Sequence, residues 1–593
     1  MAFQAGSNGS FSIKAYIGDN KTLLAFNFTD PAKAKNLAGF TIQCQLPGKP
    51  AFFLLNELQF ENPGKHAQVA GEKPNSTANA PIQKYRWTHV AVADPQTHAT
   101  VAGSYTYTVT PRYFDASQAM KPLDSSLSAK VTVAVGPFKK GSLSLGFTRG
   151  YMQSEAFVHH FGPQVQLQPA GKPLLYDTKQ KAGTDPAGQA YTFEDEYVWM
   201  GSTARQQVLA VLNTALNDAS VHVDVFAYDL SDPTVMNGLL TLGKQGRVRI
   251  ILDNASLHIK DPKTGKVPSE DQFTALYQKQ AKDPKTLVRG CFARYSHDKI
   301  FILSRNGNAF LVVTGSTNWS VTGLYVNANH VLVFNDANVA AKYSEVFAKS
   351  FQILSGTKTP SQAAANAFNS TPLATQASTF QSAAVPKTII NFSPHTTADV
   401  TKILGAISDR INKEASATKG SVLFAVMQLT GSQSPVYSTL SGLHANQSLF
   451  SYGISDAPQG TFLYAPGSKT GVMVTGKPGR TVLPPPFDQV PSPPGHEIHD
   501  KFVVCGLNGN DPVVYCGSSN LATGGEAQNG DNLLEIHDAD VATAFAIEAL
   551  LLVDHYNFLD RMAKPKTASP TKPKTTKPPA KGKAAAAAAG KNE

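Results

Sequence analysis

Residues 297–320 read HDKIFILSRNGNAFLVVTGSTNWS, and residues 499–522 read HDKFVVCGLNGNDPVVYCGSSNLA. Aligned on His297 and His499, the two stretches place Lys299 with Lys501, Gly315-Ser316 with Gly517-Ser518, and Asn318 with Asn520 at equal offsets without a gap. One His-Asp-Lys trio is ordinary on a strand surface. The same trio twice, each at one fixed distance from a Gly-Ser-x-Asn, is an internal duplication. In an extended chain residues i and i+2 share a side, so each His converges with its Lys. By the same rule Ser316 sits with Asn318 and Ser518 with Asn520. Imidazole, ammonium, hydroxyl and carboxamide around one point suit a tetrahedral oxyanion such as phosphate. Supplied twice, they set two imidazoles on opposite sides of one phosphorus, as nucleophilic attack with in-line departure requires.

The sequence on either side of each motif repeats as well. Val208, Leu209, Leu212 and Leu216 stripe one face of a helix, and VHVDVFAY alternates after it as a strand. A second helix then leads through Gly246 into the strand RVRIIL. Further on, Val400, Ile403, Leu404, Ile407 and Ile411 stripe a helix followed by the strand SVLFAVM, a short helix and the strand LFSYGI. Strand, crossover helix and strand predict α/β sheets with parallel neighbours. Between the copies, a stretch rich in Ser, Thr, Ala and Gln reads as a linker. The Pro-rich RTVLPPPFDQVPSPPGHEIHDK runs into His499 and reads as a semi-rigid wall or lid over the site, or as an exposed connector.

The duplicated pattern resembles the phospholipase D superfamily, whose signature is His-x-Lys-x-x-x-x-Asp, then Gly-Ser-x-Asn, with an acidic residue further on. The resemblance runs from about residue 201 to residue 559. It implies a duplicated α/β body of two pseudo-symmetric lobes. It further implies that one histidine attacks phosphorus to form a phosphohistidine while the other protonates the leaving alcohol. His297 is assigned as nucleophile and His499 as acid, with the reverse order left open. Lys299, Lys501, Asn318 and Asn520 would hold the phosphoryl oxygens, and no metal or other cofactor would be needed. The chain departs from the signature where Ser304 and Gly506 stand in place of the Asp. At the later acidic position it has Asn329, followed by His330, and Asp531, followed by Asn532. Ser316, Ser518, Asn329 and Asp531 are therefore substrate-binding or orienting candidates. Asp531 is left to orient His499 or His297, with Glu535 as an alternative.

Before the duplicated body, SFSIKAYIG, TLLAFNF, AGFTIQCQL, FFLLNEL, RWTHVAV, SYTYTVTPRYF and AKVTVAV are separated by Gly, Pro, Asn and Asp clusters. They predict about seven antiparallel strands in an immunoglobulin- or fibronectin-like sandwich with nothing catalytic in it. The resulting division is a β-sandwich over 1–140, a first lobe over 141–354, a linker over 355–387, a second lobe over 388–562, and a disordered Lys/Pro/Ala-rich tail over 563–593.

Composition fits a multidomain globular protein of 593 residues, with 42% hydrophobic and 16% charged residues. The formal charge of +10 is concentrated at one end: residues 564–593 carry +7, leaving +3 for everything before them. The tail reads either as a solvated extension or as a contact to an anionic surface or nucleic acid. Cys44, Cys291, Cys505 and Cys516 are too scattered for a disulfide framework or a zinc site. The opening MAFQAGSNGSFSIKAYIG lacks a basic segment followed by an apolar one, and AFAIEALLLV falls short of the ~20 residues of a membrane span. The expectation is a soluble cytoplasmic chain.

Three function classes follow. The first is a lipid enzyme that hydrolyses or transphosphatidylates a phospholipid headgroup diester. The second is a metal-independent nuclease or nucleic-acid end-processing enzyme, and the third an inactive phosphate-binding protein. Two motif sets in one chain favour the first, as does a near-neutral body, because a long phosphate-tracking groove needs many Lys and Arg.

Overall fold

The computed structural model describes residues 3–56, 58–150, 154–163, 165–356, 360–429, 433–457, 460–464, 472–474, 481–482, 497–562 and 564–565. Residues 483–496 of the Pro-rich stretch, and the basic tail apart from residues 564–565, lie outside them.

The N-terminal unit is two four-stranded antiparallel sheets. One runs in the order Phe3–Asn8, Phe11–Ile17, Lys21–Phe28, Arg86–Val90; the other in the order Phe52–Phe53, Leu37–Gln45, Gly103–Tyr113, Ala129–Val135. Their facing sides share one apolar core, to which Ile13, Leu24 and Phe26 come from the first sheet and Ile42, Tyr107 and Val131 from the second. Along Ala129–Val135 buried and exposed positions alternate strictly, as the sequence predicts. The strand Phe3–Asn8 was not foreseen: its side chains are almost all exposed, so it carries no apolar alternation.

The body holds two mixed sheets. In the first, Leu287–Arg289, Val248–Leu252 and Val221–Ala227 run parallel, and Ile300–Arg305, Asn308–Gly315, His330–Phe334, Leu143–Phe147 and Phe138–Lys140 continue antiparallel. In the second, Phe450–Ala457 is parallel to Ser421–Met427, followed antiparallel by Lys501–Cys505, Val513–Gly517, Asp531–His537, Lys387–Ser393 and Ser378–Phe380. On the far side of Phe450–Ala457 the second sheet continues antiparallel through Gly460–Tyr464 and Val472–Val474, so the parallel neighbours that the sequence predicts are three strands at one end of the first sheet and one internal pair in the second. The antiparallel hairpin after His297 is closed by Asn306-Gly307, both at positive φ, a pairing that matches the right-handed twist of its strands.

One core joins the sheets. Phe226 and Ile300 of the first and Phe502 and Leu534 of the second pack with Tyr343 and Phe347 of the helix Ala337–Leu354 and with Phe545 and Leu550 of the helix Ala539–Met562. The apolar run AFAIEALLLV is thus a buried helix, and its Glu548 forms a buried ion pair with Lys21 of the N-terminal unit. Among the described residues no helix is long and apolar enough to cross a membrane.

The segment 355–387 connects the sheets but is not the loose linker that its composition suggests. It folds as the helices Gln362–Asn369 and Pro372–Thr375 and the edge strand Ser378–Phe380. Ala364, Ala365, Phe368, Ala374 and Val385 enter the shared core. Small side chains that read as low complexity are here the ones that let a helix approach closely.

Candidate active site

Two short backbone bridges stitch the sheets together at the motifs. Ser296 pairs with Gly530, and Ile498 with Ala328, each in parallel. The His297 N–H donates to the Gly530 carbonyl at 2.8 Å, and the His499 N–H to the Ala328 carbonyl at 3.1 Å. Each histidine is therefore held beside the acidic-position residue of the opposite sheet.

The side chains complete the crossing. His297 Nδ1 lies 2.7 Å from Asp531 Oδ1, and His499 Nδ1 lies 2.8 Å from Asn329 Oδ1. Both partners are acceptors here, so each ring keeps a proton on Nδ1 and turns Nε2 to the reaction, as a lone pair on a neutral ring or as an N–H on an imidazolium. Asp531 thus serves His297, and Glu535 is engaged elsewhere, 2.8 Å from His537. Both rings line one cavity of about 960 Å³, together with Asn318 and Asn520, whose carboxamide oxygens are buried without a hydrogen-bond partner.

Lys299 and Lys501 are buried beside their histidines, where each ammonium donates to the carbonyl of its own motif His. That leaves donors to spare on each nitrogen. The Lys299 ammonium also sits 4.7 Å from the centre of the Tyr228 ring, whose edge-to-face contact with His297 closes one wall. Arg289 is tied to Asp271 at 2.8 Å, whereas Arg294 lines the cavity.

Ser316 and Ser518 depart from the sequence expectation. The chain bends at both, so the i, i+2 rule fails and they do not share a side with Asn318 and Asn520. Ser316 instead donates to Asn329 Oδ1 at 2.8 Å and Ser518 to Asp531 Oδ1 at 2.7 Å. They brace the residues that orient the histidines. The glycines before them allow the bend: Gly315 and Gly517 have φ of 138° and 131°, and a Cβ on either would fall 2.4 Å from a backbone oxygen, of His330 or Asn532. Gly517→Ala is expected to cost about 1–3 kcal/mol, read as a lower denaturant midpoint at unchanged slope. A midpoint equal to wild type would refute this account of the turn.

Asp298 and Asp500, the middle residues of the motifs, were assigned no role from sequence although both copies carry them. Asp298 accepts from Asn532 Nδ2 at 2.6 Å, and Asp500 Oδ1 is 2.8 Å from His330 Nδ1. They lock the residue after each orienting position, again across the sheets. Their repetition was the available signal.

Burial dominates the electrostatics. It pulls the His297 imidazole down to about 4 against the opposing pull of Asp531, so the ring is neutral at physiological pH. It brings Lys299 down to about 8 and, with Lys299 adding to the effect, Lys501 well below its ordinary value. Burial and the charge of Asp531 push Asp298 up to about 7. Burial would raise Asp531 too, but His297, Lys299 and the Ser518 hydroxyl outweigh it and hold that carboxyl below its ordinary value.

Paired His-x-Lys motifs crossed over a single cavity define the class of the site, and residues 212–351 form a phospholipase D-like domain. Residues 212–351 match the family model described as cardiolipin synthase, PLD-like domain. A search of curated protein sequences finds no match. Among solved structures, the chain is similar to phosphatidylserine synthase of Haemophilus influenzae at 10% identity, covering 62% of this chain and 85% of that one, with a TM-score of 0.37. It is similar to yeast tyrosyl-DNA phosphodiesterase at 11% identity, covering 55% and 86%, with a TM-score of 0.27. Polyphosphate kinase of Porphyromonas gingivalis matches at 12% identity and a TM-score of 0.35, over 59% of this chain and about half, 48%, of the kinase.

Proposed function

We propose that this protein is a phospholipase D-type phosphodiesterase that hydrolyses, or transfers to another alcohol, the headgroup diester of a phospholipid. The observation that carries the lipid reading is the rim of the cavity. Leu257, Ile259 and Val267 are exposed at 44%, 42% and 41%, on one loop, and Leu257 and Val267 line the cavity that holds His297 and His499. Lys260, Lys263 and Lys266 are exposed on the same loop. Apolar side chains flanked by lysines suit the surface of an anionic bilayer. The cavity itself mixes Lys172, Lys266 and Arg294 with Asp229 and Glu270 rather than forming a basic track for a nucleic-acid backbone.

In this reading the neutral His297 attacks phosphorus through Nε2, while His499 enters the step as the imidazolium, its Nδ1–H bonded to Asn329, and gives its Nε2 proton to the leaving alcohol. The phosphoimidazolium keeps its Nδ1–H bonded to Asp531. Asn318, Asn520, Lys299 and Lys501 donate to the phosphoryl oxygens. Water, or a second alcohol, then gives a proton back to His499 as it attacks, and His297 is released. The division of the chain into 1–140, 141–354, 355–387, 388–562 and 563–593 belongs to the same proposal, with an immunoglobulin-like first unit and two duplicated lobes. So does residence in the cytoplasm, which the four free, buried cysteines fit.

The test is product analysis with the full chain on phospholipid vesicles, single-stranded DNA and duplex DNA across a salt series, with His499→Asn as control. Phosphatidic acid, or a transphosphatidylated lipid when a primary alcohol is added, is expected, with DNA left intact and weak dependence on salt. DNA cleavage that falls steeply with salt and yields no phosphatidic acid would replace the lipid reading with the nuclease one. Vesicle binding without any product would leave the pseudoenzyme.

A further inference from the structure

The parallel strands Val221–Ala227 and Val248–Leu252 end side by side, and ligand sites form where such strand ends open outward. The turn after the first strand carries Asp229, the loop after the second carries His258, and the first turn of the helix Ser269–Gln280 carries Glu270. One donor atom from each lies within 4.8 Å of the other two. All three residues line the cavity that holds His297 and His499, and His258 and Glu270 are only 6% and 2% exposed.

We propose that Asp229, His258 and Glu270 bind one divalent metal ion of borderline hardness, Zn²⁺ or Mn²⁺, at the mouth of the catalytic cavity. An imidazole and two carboxylates are a fitting donor set for such ions. His258 Nδ1 lies 2.8 Å from Oδ1 of Asp253, a fully buried carboxylate, which leaves Nε2 as the ligand nitrogen. A carboxylate behind a histidine in this way fixes the tautomer and raises the ligand's basicity, as it does behind metal-bound histidines generally. Asp253 is anchored in turn by the Ser296 N–H at 2.6 Å, which ties the site to the residue before His297.

Two observations set the cluster apart from an ordinary polar surface. Asp271, next to Glu270 in the chain, forms an ion pair with Arg289, whereas among the described residues Asp229 and Glu270 pair with no lysine or arginine. The second sheet supplies an internal control. Phe226 pairs with Ile300 and Ala425 with Phe502, each partner following its motif Lys, so Tyr228 and Asp229 correspond to Met427 and Gln428. That turn also lines the cavity and is built without a carboxylate. The fold therefore does not require Asp229.

An ion here joins the loop bearing Leu257 and Ile259 to the strand end and the helix, and so fixes the rim. The phosphohistidine step is not routed through it. The experiment uses the full chain, stripped with EDTA and dialysed, then titrated with ZnCl₂ and MnCl₂ by calorimetry and loaded with Co²⁺ for visible absorption. One equivalent is expected to bind, with slower amide exchange over residues 255–268. Asp229→Asn and His258→Gln should each weaken binding at least about tenfold, while His297→Asn leaves it unchanged. Thermal unfolding checks that the variants are folded, and half-buried Asp229 keeps the test open should His258→Gln not fold. Failure of the wild type to take up any of these ions at millimolar concentration would overturn the proposal. So would wild-type affinity in Asp229→Asn, or loss of binding in His297→Asn. None of these readouts depends on turnover, so the lipid reading and the metal site stand or fall separately.

Discussion

His297→Asn is expected to reduce kcat on a susceptible phosphodiester by at least about 10³-fold, because in the proposed mechanism it removes the nucleophile and leaves only binding and oxyanion contacts. His499→Asn should fall to a similar level, and the double variant no further, since both rings act within one mechanism and their losses do not add. The asparagine side chain preserves a donor near the Nδ1 position, so the bond to Asp531 or Asn329 and the parallel bridges beside it are retained. Wild-type unfolding midpoints would separate lost chemistry from lost fold. Acid quench after brief reaction, followed by peptide mass spectrometry, reports which ring carries phosphorus. Label on His297 fits attack by that ring, and label on His499 reverses the order. Independent losses that multiply in the double variant would mean that the two histidines do not share one site.

Asp531→Asn is the second large effect, at roughly 10²- to 10⁴-fold in kcat. The carboxylate accepts the Nδ1–H of His297 and neutralises the cation formed when Nε2 takes up phosphorus, and an amide does only the first. The pH profile carries the sign. Burial already lowers His297 to about 4 while Asp531 opposes it, so the nucleophile is competent above about pH 4 and is lost as pH falls through that value. Removing Asp531 takes away the opposing pull, and the acidic limb should move to lower pH even as the plateau drops. A variant that keeps the wild-type plateau, or whose acidic limb moves upward, would exclude Asp531 as the partner of a neutral His297. The asymmetry of the site makes this test specific. Asn329 occupies the matching position behind His499 and already is an amide, so Asn329→Gln should act through geometry alone and leave the acidic limb in place.

Local pattern made much of the architecture legible. Alternation of buried and exposed side chains in Ala129–Val135, and the stripe of Val400, Leu404, Ile407 and Ile411 on the helix Thr397–Ser416, follow directly from strand and helix periods. Segments without that pattern depart from expectation in two opposite ways. Phe3–Asn8 pairs through its backbone at a sheet edge with its side chains in solvent, so nothing in its sequence announces a strand. The segment 355–387 has a linker's composition, yet Ala364, Ala365 and the ring of Phe368 are buried by surfaces distant in sequence.

The site divides along the same line. The sequence by itself determined which groups the candidate site contains: two His-x-Lys and two Gly-Ser-x-Asn sets at equal spacing, because covalent distance along a strand and a tight turn fixes which groups travel together. It could not determine which acid serves which histidine. His297 meets Asp531 across 234 residues and His499 meets Asn329 across 170. Those pairings exist only because the Ser296–Gly530 and Ala328–Ile498 bridges cross the sheets. Tertiary structure also turned Ser316 and Ser518 away from the cavity and gathered Asp229, His258 and Glu270 from a strand end, a loop and a helix. Periodicity is a property of neighbours along the chain, whereas orientation, burial and the resulting shifts in proton affinity depend on what packing brings near, and packing is where distant segments first meet.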